Sequence, residues 1–253
     1  MRKDRVGEKN YNNFGSEMII TEYRKYKDID IYFPEYKWTS RHKTYQSFIQ
    51  GTVKCPYDKS IFGIGYIGEG PYKTKNGNKP TRAYYTWKHM LERCYDSACQ
   101  EKKPTYKDCV VYDEWHNFQN FAKWYEENYY EIPGEMMCID KDIIVKDNRV
   151  YGPDTCVFVP QCINMLFTKH NNKCKDLPTG VYLSGENGRY IARCSMKYKN
   201  INLGNYDTQE EAFCAYKRFK ENKVKELADK YKDYIPKTLY DTLYEYEVEE
   251  VVN

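Results

Sequence analysis

Residues 179–231 read TGVYLSGENGRYIARCSMKYKNINLGNYDTQEEAFCAYKRFKENKVKELADKY. Three short runs, TGVYLS, RYIARCSMK and NINLGNY, are rich in strand-favouring residues and separated by the turn signals GENG and KYKN. The remainder predicts one long helix. Thr208 and Glu211, three residues apart, form a capping-box signature. Ala212, Tyr216, Phe219, Leu227 and Tyr231 fall on one helical face. Three strands with a helix across their back make a compact α+β unit. Alternation along the second strand turns Tyr190, Ala192, Cys194 and Met196 toward the helix, and Ile191, Arg193, Ser195 and Lys197 away from it.

Upstream, residues 1–55 read as a small N-terminal β module. EMIITEY and DIDIYF are two β-rich runs joined by RKYK, and Ile29, Ile31 and Phe33 alternate with Asp28, Asp30 and Tyr32. Residues 56–80 are rich in glycine and contain KTKNGNKP, the signature of a Gly-rich linker or extended loop. In TRAYYTWKHMLERCYD, Trp87, Met90, Leu91 and Cys94 mark one face of a helix. DCVVY predicts a short strand. DEWHNFQNFAKWYEEN predicts a second helix with Trp115, Phe118, Ala122 and Tyr125 on its stripe. CIDKDIIVKDNRVYGPDTCVFVP (138–160) then reads as a hairpin, QCINMLFTK as a short helix, and 169–178 as a polar linker. Residues 81–176 are taken as one module, 177–231 as the next, and 232–253 as a final short helix near Pro236 with an acidic tail.

The formal charge of +3 is unevenly spread over the 253 residues. The net is +6 over 1–80, −2 over 81–176, +3 over 177–206, zero over 207–231 and −4 over 232–253. Phosphate binding requires local positive charge, because much of its affinity comes from counterion release. The ends of the folded chain therefore suit nucleic acid better than the middle does. The 28 tyrosines are read chiefly as codon bias, with base stacking as the functional alternative. Ten cysteines without a CxxC pair, and no signal-peptide pattern at the N-terminus, argue for reduced thiols in a cytoplasm. No apolar run is long enough to span a membrane.

The C-terminal stretch resembles the ethylene-response-factor type of DNA-binding domain, the Apetala-two fold, which also occurs in phage and mobile-element endonucleases. Its landmarks are matched by Gly180-Val181, Tyr190-Ile191-Ala192, Leu203-Gly204-Asn205-Tyr206, Glu211-Ala212 and Ala215-Tyr216. The resemblance implies that the outer face of the sheet contacts double-stranded DNA. The corresponding positions are Tyr182, Ser184, Arg193, Ser195, Asn200 and Asn202, with Lys197 and Lys199 available to phosphates. Where plant members carry several Arg or Trp, this chain keeps only Arg193, so weaker sequence discrimination is expected.

The middle segment, WKHMLERCYD…CIDKDI…YGPDTCVFVPQCIN, is similar to a phage family related to HNH endonucleases. The resemblance implies a ββα metal-nuclease frame whose chemistry is degenerate. Lys141 stands where the general-base His is expected, and an ammonium with its ordinary pKa near 10.4 is a poor base at neutral pH. Thr155 replaces the central Asn. Asp140 and Asp142 remain as candidate catalytic and metal-binding residues. Alternation puts them on one face opposite Lys141, and their oxygens suit Mg²⁺. His116 and His170 are further histidines that folding could bring close. Structural zinc is disfavoured, since only Cys94 and Cys99 approach the usual pair spacing, with Cys138 and Cys156 distant in sequence.

The fold class expected is therefore α+β and multi-module. The function expected is that of a phage or mobile-element DNA-binding protein related to homing endonucleases, acting in a bacterial cytoplasm with its nuclease chemistry lost. An active Mg²⁺-dependent endonuclease is one alternative. A repurposed phage inhibitor that binds a host defence protein is the other, suggested by the missing His, the thinned Arg set and the acidic tail.

Overall fold

The computed structural model describes residues 4–167, 177–184, 188–196 and 199–249; of Met196 only the backbone is described. The chain divides into two compact units, one of residues 1–127 with 149–152 and the other of 128–148 with 153–253. The segment 81–176 thus contributes to both. The fold class is α+β, as the sequence predicts, with small sheets and seven α-helices among the described residues.

The first unit opens with an antiparallel meander of β1 (Lys9–Tyr11), β2 (Glu17–Lys25), β3 (Asp28–Phe33) and β4 (Trp38–Lys43), followed by α1 (Tyr45–Ile49). Met18, Ile20, Ile29, Ile31 and Phe33 pack with Tyr45, Phe48 and Val53 into its core. β1, β4 and α1 are absent from the sequence reading. β4 is polar and irregular: its pairing skips between Ile29↔Lys43 and Ile31↔Ser40, and His42 sits at φ +53°. That bulge breaks the period-2 signal. α1 has one clear mark, Thr44, whose Oγ1 accepts the Ser47 N–H at 3.0 Å.

Residues 56–80 form an irregular loop ending in the short ribbon β5 (Lys75–Asn76) and β6 (Lys79–Pro80). The loop is packed rather than free. Tyr66 N–H donates to His116 O, and Phe118 N–H donates to Tyr66 O, both at 2.9 Å. Gln119 accepts the Tyr72 N–H and donates to the Ile67 and Tyr72 carbonyls. A Cβ on Gly65 would lie 2.4 Å from Leu91 Cδ1 and 3.0 Å from the Trp87 ring, so glycine here permits close packing.

α2 (Arg82–Tyr95) buries Trp87, Met90, Leu91 and Cys94, the face that its spacing predicts. Short α3 (Ser97–Lys102) follows. β7 (Val110–Val111) leads through a 3₁₀ turn to α4 (Phe118–Asn128). Trp115, Phe118, Ala122 and Tyr125 are buried as expected.

In the second unit, β8 (Met137–Asp140) pairs antiparallel with a later strand across a long connection. That connection carries β9 (Val150–Tyr151), which belongs to the first unit and pairs in parallel with β7. The antiparallel partner of β8 is β10 (Val157–Pro160), with Val157↔Asp140 and Phe158↔Ile139 in register. α5 (Gln161–Phe167) follows. The C-terminal sheet is β11 (Val181–Leu183), β12 (Tyr190–Met196) and β13 (Lys199–Tyr206), in that spatial order.

α6 (Gln209–Tyr231) then spans two cores. Ala212, Phe213 and Tyr216 in its first half pack on Val181, Ala192 and Cys194 of the sheet. Val224, Leu227, Ala228 and Tyr231 in its second half pack on Ile143, Val159, Ile163 and Leu166. α7 (Lys237–Tyr244), preceded by Pro236, adds Leu239 and Leu243 to the second core. Among the described residues, no helix is long and apolar enough to cross a membrane.

Candidate nucleic-acid interface

The C-terminal sheet separates its two faces by burial. Ala192 and Cys194 are buried against α6, whereas Arg193 and Ser195 are exposed, as alternation along β12 requires. Directly opposed residues share a face. Arg193↔Asn202, Ser195↔Asn200, Ile191↔Asn205 and Tyr182↔Ile191 therefore lie together on the outer side. Asn205 is an addition to the expected set; its alternation signal is lost in the bulge beside it. The register shifts between Ala192 and Arg193, where Ala192 faces Gly204 and Arg193 faces Asn202. Gly204 occupies φ +135° there.

Several outer side chains are held in place. Asn202 Oδ1 accepts the Gly204 N–H at 3.1 Å, which fixes the amide at the bulge. Ser195 Oγ donates to Asn200 Oδ1 at 2.5 Å. The Arg193 guanidinium carbon lies 5.7 Å from the Tyr182 ring centroid, within cation–π range. Ser184 is half-buried, and its N–H bonds the Arg189 carbonyl at 2.7 Å. Lys199 is exposed. Lys197 lies outside the described residues. The three strands contain no Asp or Glu, and Arg193 and Lys199 have no acidic partner among the described residues. Arg189, by contrast, is engaged by Asp207 at 2.7 Å.

The second candidate site is a built turn rather than an open pair of carboxylates. β8 ends at Asp140, so strand alternation does not continue to Lys141 and Asp142. Asp140 Oδ1 accepts the N–H groups of Asp142 at 2.9 Å and Ile143 at 2.8 Å. Lys141 is buried, and its Nζ donates to Asp142 Oδ2 at 3.1 Å and to Asn148 O at 2.9 Å. Asn148 Nδ2 returns a bond to Lys141 O at 2.7 Å. The two aspartates do lie close together, as expected, but Lys141 is not opposite them: it turns back onto Asp142. Burial, with the neighbouring Asp142 charge second, pushes the Asp140 carboxyl up to about 6. Thr155 is half-buried in the turn before β10.

One oxygen of each carboxylate in this turn is already engaged by the protein itself. The Lys141 ammonium bonds Asp142 Oδ2, and two backbone N–H groups bond Asp140 Oδ1. His116 belongs to the first unit, where its Nε2 lies 3.3 Å from Tyr95 Oη and burial lowers its pKa. His170 lies outside the described residues. Cys94 and Cys99 belong to the first unit, Cys138 and Cys156 to the second.

Among the described residues, one group brings three potential ligand side chains together: Asp28, Asp30 and His42. It too is filled by a protein cation. Arg24 Nη2 lies 2.8 Å from Asp28 Oδ1 and 2.5 Å from Asp30 Oδ1, while Nη1 lies 2.5 Å from Glu22. The hydrogen bonds from Arg24, and then from His42, hold Asp28 down at about 2. No protein-family model, curated protein or solved structure matches the chain.

Proposed function

We propose that this chain is a double-stranded DNA-binding protein that docks the outer face of its C-terminal sheet on the duplex. The observation that carries this reading is a strand face holding Arg193, Ser195, Asn200, Asn202 and Asn205, without a carboxylate in any of its three strands; Lys199, exposed at the start of β13, pairs with Met196 and so belongs to the opposite face, at the sheet's end. A β-ribbon fits the major groove, and donors fixed on a rigid sheet can meet phosphate and base-edge acceptors there. The resemblance to Apetala-two domains supports the same face. It also supports a relationship to phage or mobile-element homing endonucleases and a site of action in a bacterial cytoplasm.

The test is a salt titration of duplex binding by the full chain and by an Arg193→Ala, Lys197→Ala, Lys199→Ala variant. The variant is expected to bind more weakly with a shallower salt dependence. Unchanged binding would defeat the reading.

We propose further that the HNH-like frame no longer cuts DNA. Lys141 is no general base while it is bonded to Asp142, and the Asp140 carboxylate serves the turn. Plasmid incubated with the protein and Mg²⁺ or Mn²⁺ is expected to stay intact. Nicking abolished by Asp140→Ala, Asp142→Ala would overturn this.

A further inference from the structure

We infer that one end of the first sheet is a second, sequence-independent contact for the phosphate backbone of duplex DNA. The inference concerns a different unit from the C-terminal sheet and rests on the proposed function for duplex DNA as the polyanion; its residues and geometry are its own. Antiparallel pairing sets Lys25 opposite Asp28 at the β2–β3 turn and Lys43 opposite Ile29, so the close of β4 lies beside that turn. Lys25, Lys27, Arg41 and Lys43 thereby gather at one end of the meander. Lys25, Lys27 and Arg41 are exposed, and Lys43 is half-buried. The bulge in β4 leaves Arg41 and His42 as two consecutive exposed residues.

The acids at this end offset those four cations only in part: with Arg24 there are five basic side chains against Glu22, Asp28 and Asp30, which leaves a net charge of +2. Glu22, Asp28 and Asp30 are all bonded to Arg24. His42 adds its ring Nδ1 to Asp28 at 3.0 Å and its backbone N–H to Asp30 at 3.0 Å. The cluster gathers three carboxylates on one guanidinium, Asp30 buried and Glu22 exposed. Among the described residues, Lys25, Lys27, Arg41 and Lys43 have no acidic partner. Cations left unpaired on a rigid sheet end are complementary to a polyanion, and the recognition is through charge rather than base edges.

The experiment measures binding of the full chain to a short random-sequence duplex across about 50–200 mM salt. Two variants are compared in wild-type and Arg193→Ala, Lys199→Ala backgrounds. One replaces Lys25, Lys27, Arg41 and Lys43 with Gln. The other exchanges them as Lys25→Arg, Lys27→Arg, Arg41→Lys and Lys43→Arg. The Gln variant is expected to flatten the log–log salt slope by about 2–4, since each phosphate that these side chains neutralise adds roughly 0.9 to it. The charge-retaining variant is expected to keep the wild-type slope. An unchanged slope in the Gln variant, or an equal flattening in the charge-retaining one, overturns the inference. Because the effect is read in both backgrounds, a C-terminal sheet without affinity for DNA would leave this result standing.

Discussion

Asp140 and Asp28 are carboxylates displaced in opposite directions, and they load the two units with opposite pH dependence. Asp140 in the folded chain titrates near 6, above its ordinary value, because burial disfavours the anion. Between about pH 4 and pH 6 the folded state holds the extra proton, so this contribution to stability falls as pH rises and is constant above 6. Asp140→Asn keeps an acceptor for the Asp142 and Ile143 N–H groups and removes the charge. The variant is expected to equal or exceed the wild type at pH 7, by on the order of 1–3 kcal/mol, and to lose the slope between pH 4 and 6. Urea denaturation read by far-UV circular dichroism at several pH values checks this. A loss of stability at pH 7 would show that the carboxylate's charge is needed. Asp28 behaves in the reverse sense. Its folded pKa is lowered to about 2, so its stabilising effect is complete above about pH 4 and is lost as pH falls toward 2. Arg24→Gln should weaken that acid-side dependence of the first unit, leaving the part that His42 contributes.

Among the elements, α6 carries the most weight, because both cores of the second unit lean on it. Its start is fixed by Thr208, which accepts the Glu211 N–H at 3.2 Å, while Glu211 accepts the Asp207 and Thr208 N–H groups in return. Thr208→Ala is expected to cost about 1 kcal/mol, measurable as a shift in the denaturation midpoint at unchanged m-value. A larger penalty is expected at Gly180. It sits at φ +83°, and a Cβ there would lie 2.2–2.5 Å from the Tyr216 ring. Gly180→Ala combines left-handed strain with overpacking and should cost more than about 2 kcal/mol. A near-neutral result would mean that the ring has somewhere to go. The close approach ties Gly180 to Tyr216: glycine makes room for the ring.

Elements with a clean period were legible in the sequence alone. The α2 stripe of Trp87, Met90, Leu91 and Cys94 was one, and the two faces of β12 were another. What stayed hidden depends on residues distant in sequence or on broken period. β4 carries a bulge and a left-handed His42. β7 finds β9 across a long interval. Lys141 meets Asn148 only because the chain leaves strand geometry at Asp140. No spacing rule announces that Arg24 will gather Glu22, Asp28 and Asp30, since His42 completes that cluster from another strand.

At the scale of the molecule, the division into two units has a spectroscopic consequence. All four tryptophans, Trp38, Trp87, Trp115 and Trp124, belong to the first unit. The long helix α6 belongs to the second. Tryptophan emission therefore follows one unit, while helical ellipticity reports on both. Each unit has its own buried core, so unfolding is not expected to be a single all-or-none event. The denaturant curves read by fluorescence and by ellipticity should have different midpoints, and Gly180→Ala should move the ellipticity curve while leaving the fluorescence curve in place. Coincident curves in the wild type, shifting together in the variant, would mean that the two units unfold as one cooperative body. The same separation bears on DNA. With proposed DNA-binding surfaces on both units, the fluorescence midpoint should rise when duplex is added to the wild type, because ligand binding stabilises the folded state by mass action. That rise should shrink when Lys25, Lys27, Arg41 and Lys43 are replaced by Gln, which ties the first unit to binding independently of the C-terminal sheet.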